Sequence, residues 1–350
     1  MVSLGVLDQS PIRHGSTAAE AVRETIDLAQ YCEQLGYRRY WLAEHHNTSS
    51  FAGSTPEILI SKVASETKSI RVGSGGVMMM HYSPLKVAEN FRMLETLYPG
   101  RIDLGIGRAP GGDQRTSAAL QPGPQSYGVD VFPQQITLLD QLLREASGDK
   151  DAFPDDHPYR GIHAMPRGTS TPEMWLLGSS VMGAAIAGQL SQPFCFAHFI
   201  NQDGAAQIMN TYRTRFKPTE HLPAPRTAVG ISVLCADTEE EAKKLSMTRN
   251  LWVMRLLRGQ HGPFPSLDEA LSYPYTPDDY QMLAFIEQRG FVGTPDQVRS
   301  KVDALGEELG TDEFLVVTIT HDHQARKRSY ELLAEAFSLK AQPQSVAAAS

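Results

Sequence analysis

The chain has 350 residues, 41% hydrophobic and 21% charged, and a formal net charge of −8. A chain of this size buries a large core without disulfide or metal staples. Its acidic balance argues against nucleic acid or an anionic membrane as partner. The three cysteines, Cys32, Cys195 and Cys235, form no Cys-x-x-Cys pair. They read as buried, reduced thiols in a reducing compartment. The N-terminus lacks a basic region followed by a long apolar run, and no apolar stretch approaches the ~20 residues of a membrane span. The expectation is a soluble, cytoplasmic protein.

Short apolar runs alternate with amphipathic stretches. Strands are predicted over 3–8, 39–43, 70–74, 101–106, 174–178, 193–198, 228–235 and 313–319. Helical patterns follow near 18–36, 54–68, 83–97, 132–147, 180–191, 203–216, 238–258 and 324–338, with an extra helix at 295–309. Ser54-Thr55-Pro56-Glu57, Ser83-Pro84 and Thr294-Pro295-Asp296-Gln297 are helix starts, with a capping hydroxyl before a proline. Strands alternating with helices imply parallel pairing, because the chain must cross back each time. Eight such units predict a (β/α)8 TIM barrel with insertions in the βα loops. An open doubly wound sheet is the alternative. One domain is expected over 1–340, with a disordered tail over 341–350.

Three segments break the rhythm: 109–131, 148–172 and 259–292, all rich in proline or glycine. Loops this long are lids, binding loops or surface decoration.

The strand ends carry polar and glycine-rich clusters, as an active site on a parallel barrel requires. Glu44-His45-His46 follows the second strand. Adjacent side chains on a strand point to opposite faces, so at most one histidine should enter the barrel mouth. That imidazole would be a general base or hydrogen-bond donor; the bland alternative is a pair of structural histidines. His321-Asp322-His323, His81 and His198 raise a metal site, but no His-Glu-x-x-His helix or cysteine ligand set appears, and no metal is expected. Ser74, Gly75, Gly76, Val77 and Met78 close the third strand, where glycines admit a flat ligand or form a bulge. Neither this run nor Gly105-Ile106-Gly107-Arg108-Ala109-Pro110 completes a dinucleotide fingerprint, and no Gly-Lys-Ser/Thr loop is present. Arg108 can fork onto a phosphate. Gly178, Ser179 and Ser180 open a helix, whose N–H groups and hydroxyls suit an anion. Alternatively the serines are caps and Arg108 a surface ion pair.

As a set, these motifs resemble the bacterial luciferase-like flavin monooxygenases. The resemblance runs through Trp41 to Asn47, Ser74 to Met78 with Ser83-Pro84-Leu85, Tyr98 to Arg108, Leu177 to Ser180 and Val292 to Pro295. It implies a barrel that binds FMN at its C-terminal strand ends. Reduced FMN would come from a separate reductase and react with O2 to a flavin hydroperoxide that oxygenates a small organic substrate. It also implies that His45, with Glu44, is catalytic. Ser74 to Met78 would run beside the isoalloxazine ring, with a cis peptide at Gly75-Gly76. Arg108, Gly178, Ser179 and Ser180 would hold the phosphate, and 259–292 would be a mobile lid. Relatives commonly carry a hydroxyl near Gly183, which this chain lacks. Homo-oligomers are frequent in the family. The alternatives are a deazaflavin- or nicotinamide-linked dehydrogenase on the same barrel, or a non-catalytic flavin-binding protein.

Overall fold

The strands β1 (Ser3–Asp8), β2 (Arg39–Leu42), β3 (Arg71–Met78), β4 (Ile102–Gly107), β5 (Glu173–Gly178), β6 (Phe194–Ala197), β7 (Thr227–Cys235), β8 (Phe291–Gly293) and β9 (Glu313–Val317) form one parallel sheet in the computed structural model. The structure describes residues 2–109, 111–121 and 131–341. The tail beyond Ala341, Pro110 and the Pro122–Asp130 stretch lie outside the described residues. β1 to β7 pair in chain order, and β9 closes the ring between β7 and β1. The result is the closed eight-stranded barrel, and its strands match the eight expected runs to within a few residues, mostly one or two.

Two details differ from expectation. β3 continues through the glycines to Met78, with a register slip between Gly75 and Val77. The glycines therefore interrupt a strand rather than follow one. β8 is an additional three-residue strand that pairs with Val233–Cys235 at the outer end of β7. Three residues carry too few alternations to announce a strand.

Alternation along each strand sorts the core into two layers. Residues such as Val6, Tyr40, Val72, Leu104, Leu176 and Val316 face the helices. The opposite parity, Leu7, Trp41, Trp175, Cys195 and Leu315, fills the barrel interior. Trp41 and Trp175 are fully buried and meet edge to face at 5.7 Å. Glycines on the inward parity make room for them: a Cβ on Gly75 would lie 2.4 Å from Leu7 Cδ1 and 3.0 Å from Trp41 Cβ.

The N-terminal end of the barrel is closed by charge. Arg39 is wholly buried, with Nη1 2.5 Å from Asp103 Oδ2 and Nη2 3.4 Å from Glu173 Oε1. Its guanidinium lies 5.1 Å from the Trp175 ring centre. Trp41 Nε1 donates to Asp103 at 2.8 Å, and Trp175 Nε1 to Glu173 at 2.6 Å. Charge buried at this end serves stability, which leaves the opposite end for chemistry.

The described parts of the irregular segments hold local structure of their own. Asp113 caps a short helix, Gln114–Leu120. The segment 259–292 holds two helices, Leu267–Ser272 and Pro277–Gln288, capped by Ser266 and Thr276. Ala270 and Ile286 from these helices pack on Leu251 and Met254 of the long helix Glu239–Leu257. Residues 148–172 carry no helix or strand but are tied down by Arg92, whose Nε donates to Pro166 O at 3.0 Å. Among the described residues, no helix is long and apolar enough to cross a membrane.

Candidate active site

Two adjoining cavities open at the C-terminal ends of the strands. The first, about 690 Å³, is walled by β1 to β7 and the loops that follow them. The second, about 630 Å³, lies towards the helix Glu239–Leu257. Both are of ligand-binding size. His45, Gln9, Gly111, Phe199 and Ile200 line both, so His45 stands on the shared wall.

β2 ends at Leu42, and strict alternation ends with it. His45 faces both cavities, and His46 also reaches the second. The expectation of a single histidine at the mouth is corrected on this point. The His45 N–H donates to Gly53 O at 2.8 Å, and its ring stacks on Phe51 with centroids 4.4 Å apart. Its Nδ1 is buried and has no partner among the described residues. Burial, with His46 adding, pulls the imidazole down to about 4, so it is neutral at ordinary pH.

Glu44 is buried and fully engaged. Its Oε1 lies 2.7 Å from His46 Nε2 and accepts the Tyr82 hydroxyl at 2.7 Å; its Oε2 accepts the Met78 N–H at 3.0 Å. The carboxylate thus fixes the end of β2 against the end of β3.

The Gly75–Gly76 peptide is cis, at the position implied by the family resemblance. Gly75, Gly76 and Met78 line the first cavity. Ser74 and Val77 do not. Ser74 is buried, with its hydroxyl donating to Gly105 O at 2.8 Å, and Val77 packs into the core between sheet and helices. Side chains on the other parity of the strand point away from the mouth, so these two cannot present their side chains to a ligand there.

Arg108, Gly178, Ser179 and Ser180 converge on the same cavity, together with Met182 and Gly183. Arg108 Nη1 rests 2.9 Å from Met182 Sδ, with no carboxylate paired to it among the described residues. Ser180 caps the helix Val181–Gln189, its hydroxyl accepting the Gly183 N–H at 3.2 Å. The first-turn N–H groups of that helix have no intrahelical acceptor and carry the positive end of its dipole. A free guanidinium facing a helix start suits a phosphate.

The residues lining the cavity fit a flavin that carries a phosphate. The glycines of β3 and β4 leave a flat bed, Met78 and Leu177 supply apolar contact, the polar corner suits a phosphate, and His45 Nδ1 is an unsatisfied group on the wall. Cys195 also lines the cavity, but burial drives its thiol well up and leaves it unreactive. His321 and His323 lie elsewhere, on His14 O and Asp27. Among the described residues no group of three or more His, Cys, Asp or Glu could hold a metal ion.

Sequence reasoning missed Phe51, Phe199, Arg249 and Trp252, which build the second cavity. Phe51 sits alone in a polar loop, and Arg249 and Trp252 lie in a helix whose pattern reads only as amphipathic. Nothing local marks them.

Comparison with known proteins agrees with this geometry. The luciferase-like monooxygenase family matches residues 2–313. The chain is 46% identical to the Bacillus subtilis (strain 168) protein YwcH over 96% of this chain and 99% of that protein. It is 36% identical to the N-acetyl-S-alkylcysteine monooxygenase of the same organism, over 96% and 98%. The crystal structure of apo-MsnO8 superposes with a TM-score of 0.89 at 39% identity, covering 98% of this chain and 100% of that one. The same barrel recurs in two more distant structures. One is the oxygenating constituent of Pseudomonas putida 3,6-diketocamphane monooxygenase with FMN (TM-score 0.69, 21% identity). The other is an F420-dependent secondary alcohol dehydrogenase (TM-score 0.70, 13% identity). With the family matched across nearly the whole chain and the barrel mouth built as described, this protein belongs to the luciferase-like monooxygenase family.

Proposed function

We propose that the protein is an FMN-dependent monooxygenase that receives reduced FMN from a separate reductase and transfers one oxygen atom of O2 to a small organic substrate. The observation that carries this reading is His45: a neutral imidazole with an unsatisfied Nδ1, on the wall between a flavin-sized cavity and a second chamber. Bound reduced FMN supplies the two electrons that activate O2.

The chain's own residues do the rest. Gly75, Gly76 and Met78 give the ring a flat bed, while Ser74 and Val77 hold that bed from behind. Arg108 and the N-terminus opened by Gly178, Ser179 and Ser180 take the phosphate. His45 exchanges a proton at Nδ1 or donates a hydrogen bond from it. Glu44 is a positioning residue, since its oxygens are engaged by His46, Tyr82 and Met78. Phe51, Phe199 and Trp252 keep water from the reacting region. A relative at 36% identity is itself named a monooxygenase, which favours oxygenation over the dehydrogenase chemistry of a neighbour that shares only the fold.

The test is an anaerobic titration with photoreduced FMN, followed by oxygen-uptake measurements with and without candidate substrates. Saturable binding of reduced FMN, and uptake that requires it, is the expected result. Failure to bind either form of FMN, or oxidation of reduced F420 without O2, would overturn the proposal.

A further inference from the structure

We propose that the chamber beside His45 takes a small substrate with an apolar body and one carboxylate, and that Arg249 is the residue that holds the carboxylate. The inference deepens the proposed function and rests on it for the reaction, but not for the binding.

The chamber is mostly apolar, walled by Phe51, Phe199, Trp252, Val253 and Val317. Among its lining residues Arg249 is the single arginine or lysine. Arg249 projects from the helix Glu239–Leu257 and is half-buried. Among the described residues it makes no ion pair and no hydrogen bond. Its neighbours along the same stretch of chain behave differently. Arg255 Nη1 lies 2.7 Å from Glu269 Oε1, and Arg258 pairs with Asp279. The one acidic residue among the described residues of the chamber, Asp113, is engaged elsewhere: it caps the helix Gln114–Leu120 and accepts from Asn47 Nδ2 at 3.0 Å. Arg249 therefore stands as an enclosed cation that makes no ion pair among the described residues. Desolvation alone pulls it down to about 10, which still leaves it charged at neutral pH.

An enclosed charge without a partner is unfavourable, and an incoming anion removes the penalty. A guanidinium matches a carboxylate through two parallel hydrogen bonds. Ser232, on β7, places a hydroxyl-bearing side chain in the same chamber wall. A single cation matches a monoanion, and the apolar walls match a hydrocarbon body. His45 lines the same chamber, so a carboxylate fixed at Arg249 leaves the apolar part of the ligand in the space that His45 borders.

The experiment titrates the full-length protein with straight-chain carboxylates from propanoate to decanoate and with the matching primary amides, following tryptophan fluorescence and thermal midpoint. Trp252 lines the chamber and serves as reporter. In the wild type the best carboxylate should bind about 30-fold or more tightly than its amide, the scale of one desolvated charge pair. Arg249→Gln should abolish that preference, and Arg249→Lys should restore part of it. The thermal midpoint of ligand-free Arg249→Gln should equal or exceed that of the wild type, whereas a structural arginine would lower it. FMN affinity, measured separately, should be unchanged in both variants. The inference fails if no chain length shows a carboxylate preference in the wild type, or if Arg249→Gln keeps one. A carboxylate preference that depends on Arg249 in a protein that binds no FMN would sustain this inference and remove the flavin reading instead.

Discussion

Glu44 and Met78 join the ends of two neighbouring strands: Glu44 Oε2 accepts the Met78 N–H at 3.0 Å, just past the cis peptide in β3. The other carboxylate oxygen takes the Tyr82 hydroxyl and meets His46 Nε2. One buried anion thus sets the position of the glycine bed and of the histidine loop together. Glu44→Ala leaves the buried Met78 N–H and Tyr82 hydroxyl without an acceptor. The expected cost is about 2–4 kcal/mol, read as a lower thermal midpoint, with weaker FMN binding. Glu44→Gln retains an acceptor and should fall between the two.

His45 should govern the acid side of the rate profile. Burial, aided by His46, holds it at about 4. It therefore stays neutral down to about that pH, and the acid limb assigned to it should lie well below the ordinary histidine value. His45→Ala should lower kcat about 10²–10⁴-fold with little change in FMN affinity. Unchanged turnover in a variant that still binds FMN would remove the assigned role.

The same depressed value makes a stability prediction. His198 is also held at about 4, chiefly by burial and then by Arg289. Both rings take up protons more readily in the unfolded chain, so stability is full above about pH 6.5 and falls as pH drops towards 4. At pH 5 each site contributes a loss on the order of 2 kcal/mol. Denaturant midpoints at pH 7 and pH 5 should differ accordingly, and His198→Phe should narrow the difference.

The phosphate grip is tested from two sides. Arg108→Ala removes a guanidinium that pairs with no carboxylate among the described residues and should weaken FMN by about 2–5 kcal/mol. Gly183→Ser should act in the opposite sense. A Cβ there would lie 3.6 Å from Ser180 Oγ and 3.7 Å from Gly178 Cα, which is ordinary contact. The added hydroxyl enters the same polar corner, and loss of a helical glycine adds about 0.5 kcal/mol of stability. Tighter FMN in equilibrium dialysis is the expected outcome.

Arg39 lies at the other end of the barrel, buried against Asp103 and Glu173. Arg39→Ala removes the wholly buried cation between those carboxylates, which keep only the half-buried Arg71 and Arg226 as ion partners, and should destabilise the fold by about 3–5 kcal/mol. Turnover per folded molecule should be unchanged, because this end does not touch the cavities. A variant that folds normally but loses FMN would contradict the separation of the two ends.

Much of this was legible in the residues. Eight apolar runs spaced by amphipathic stretches require parallel crossovers, and eight crossovers close a barrel. The prolines after Thr55 and Thr294 placed helix starts to within a residue or two, although only Thr294 caps through its hydroxyl and Thr55 does not. Glu44, His45, Gly75, Gly76, Met78, Arg108 and the two serines could be singled out because each closes a strand, and strand ends share one rim. Tertiary structure decided what local pattern cannot encode. Whether Ser74 faces the mouth depends on strand parity through a register slip. Whether Glu44 is free or engaged depends on groups 34 and 38 residues away along the chain. That Arg249 makes no ion pair among the described residues depends on every charge around it, a sum over distant segments that no window of sequence contains.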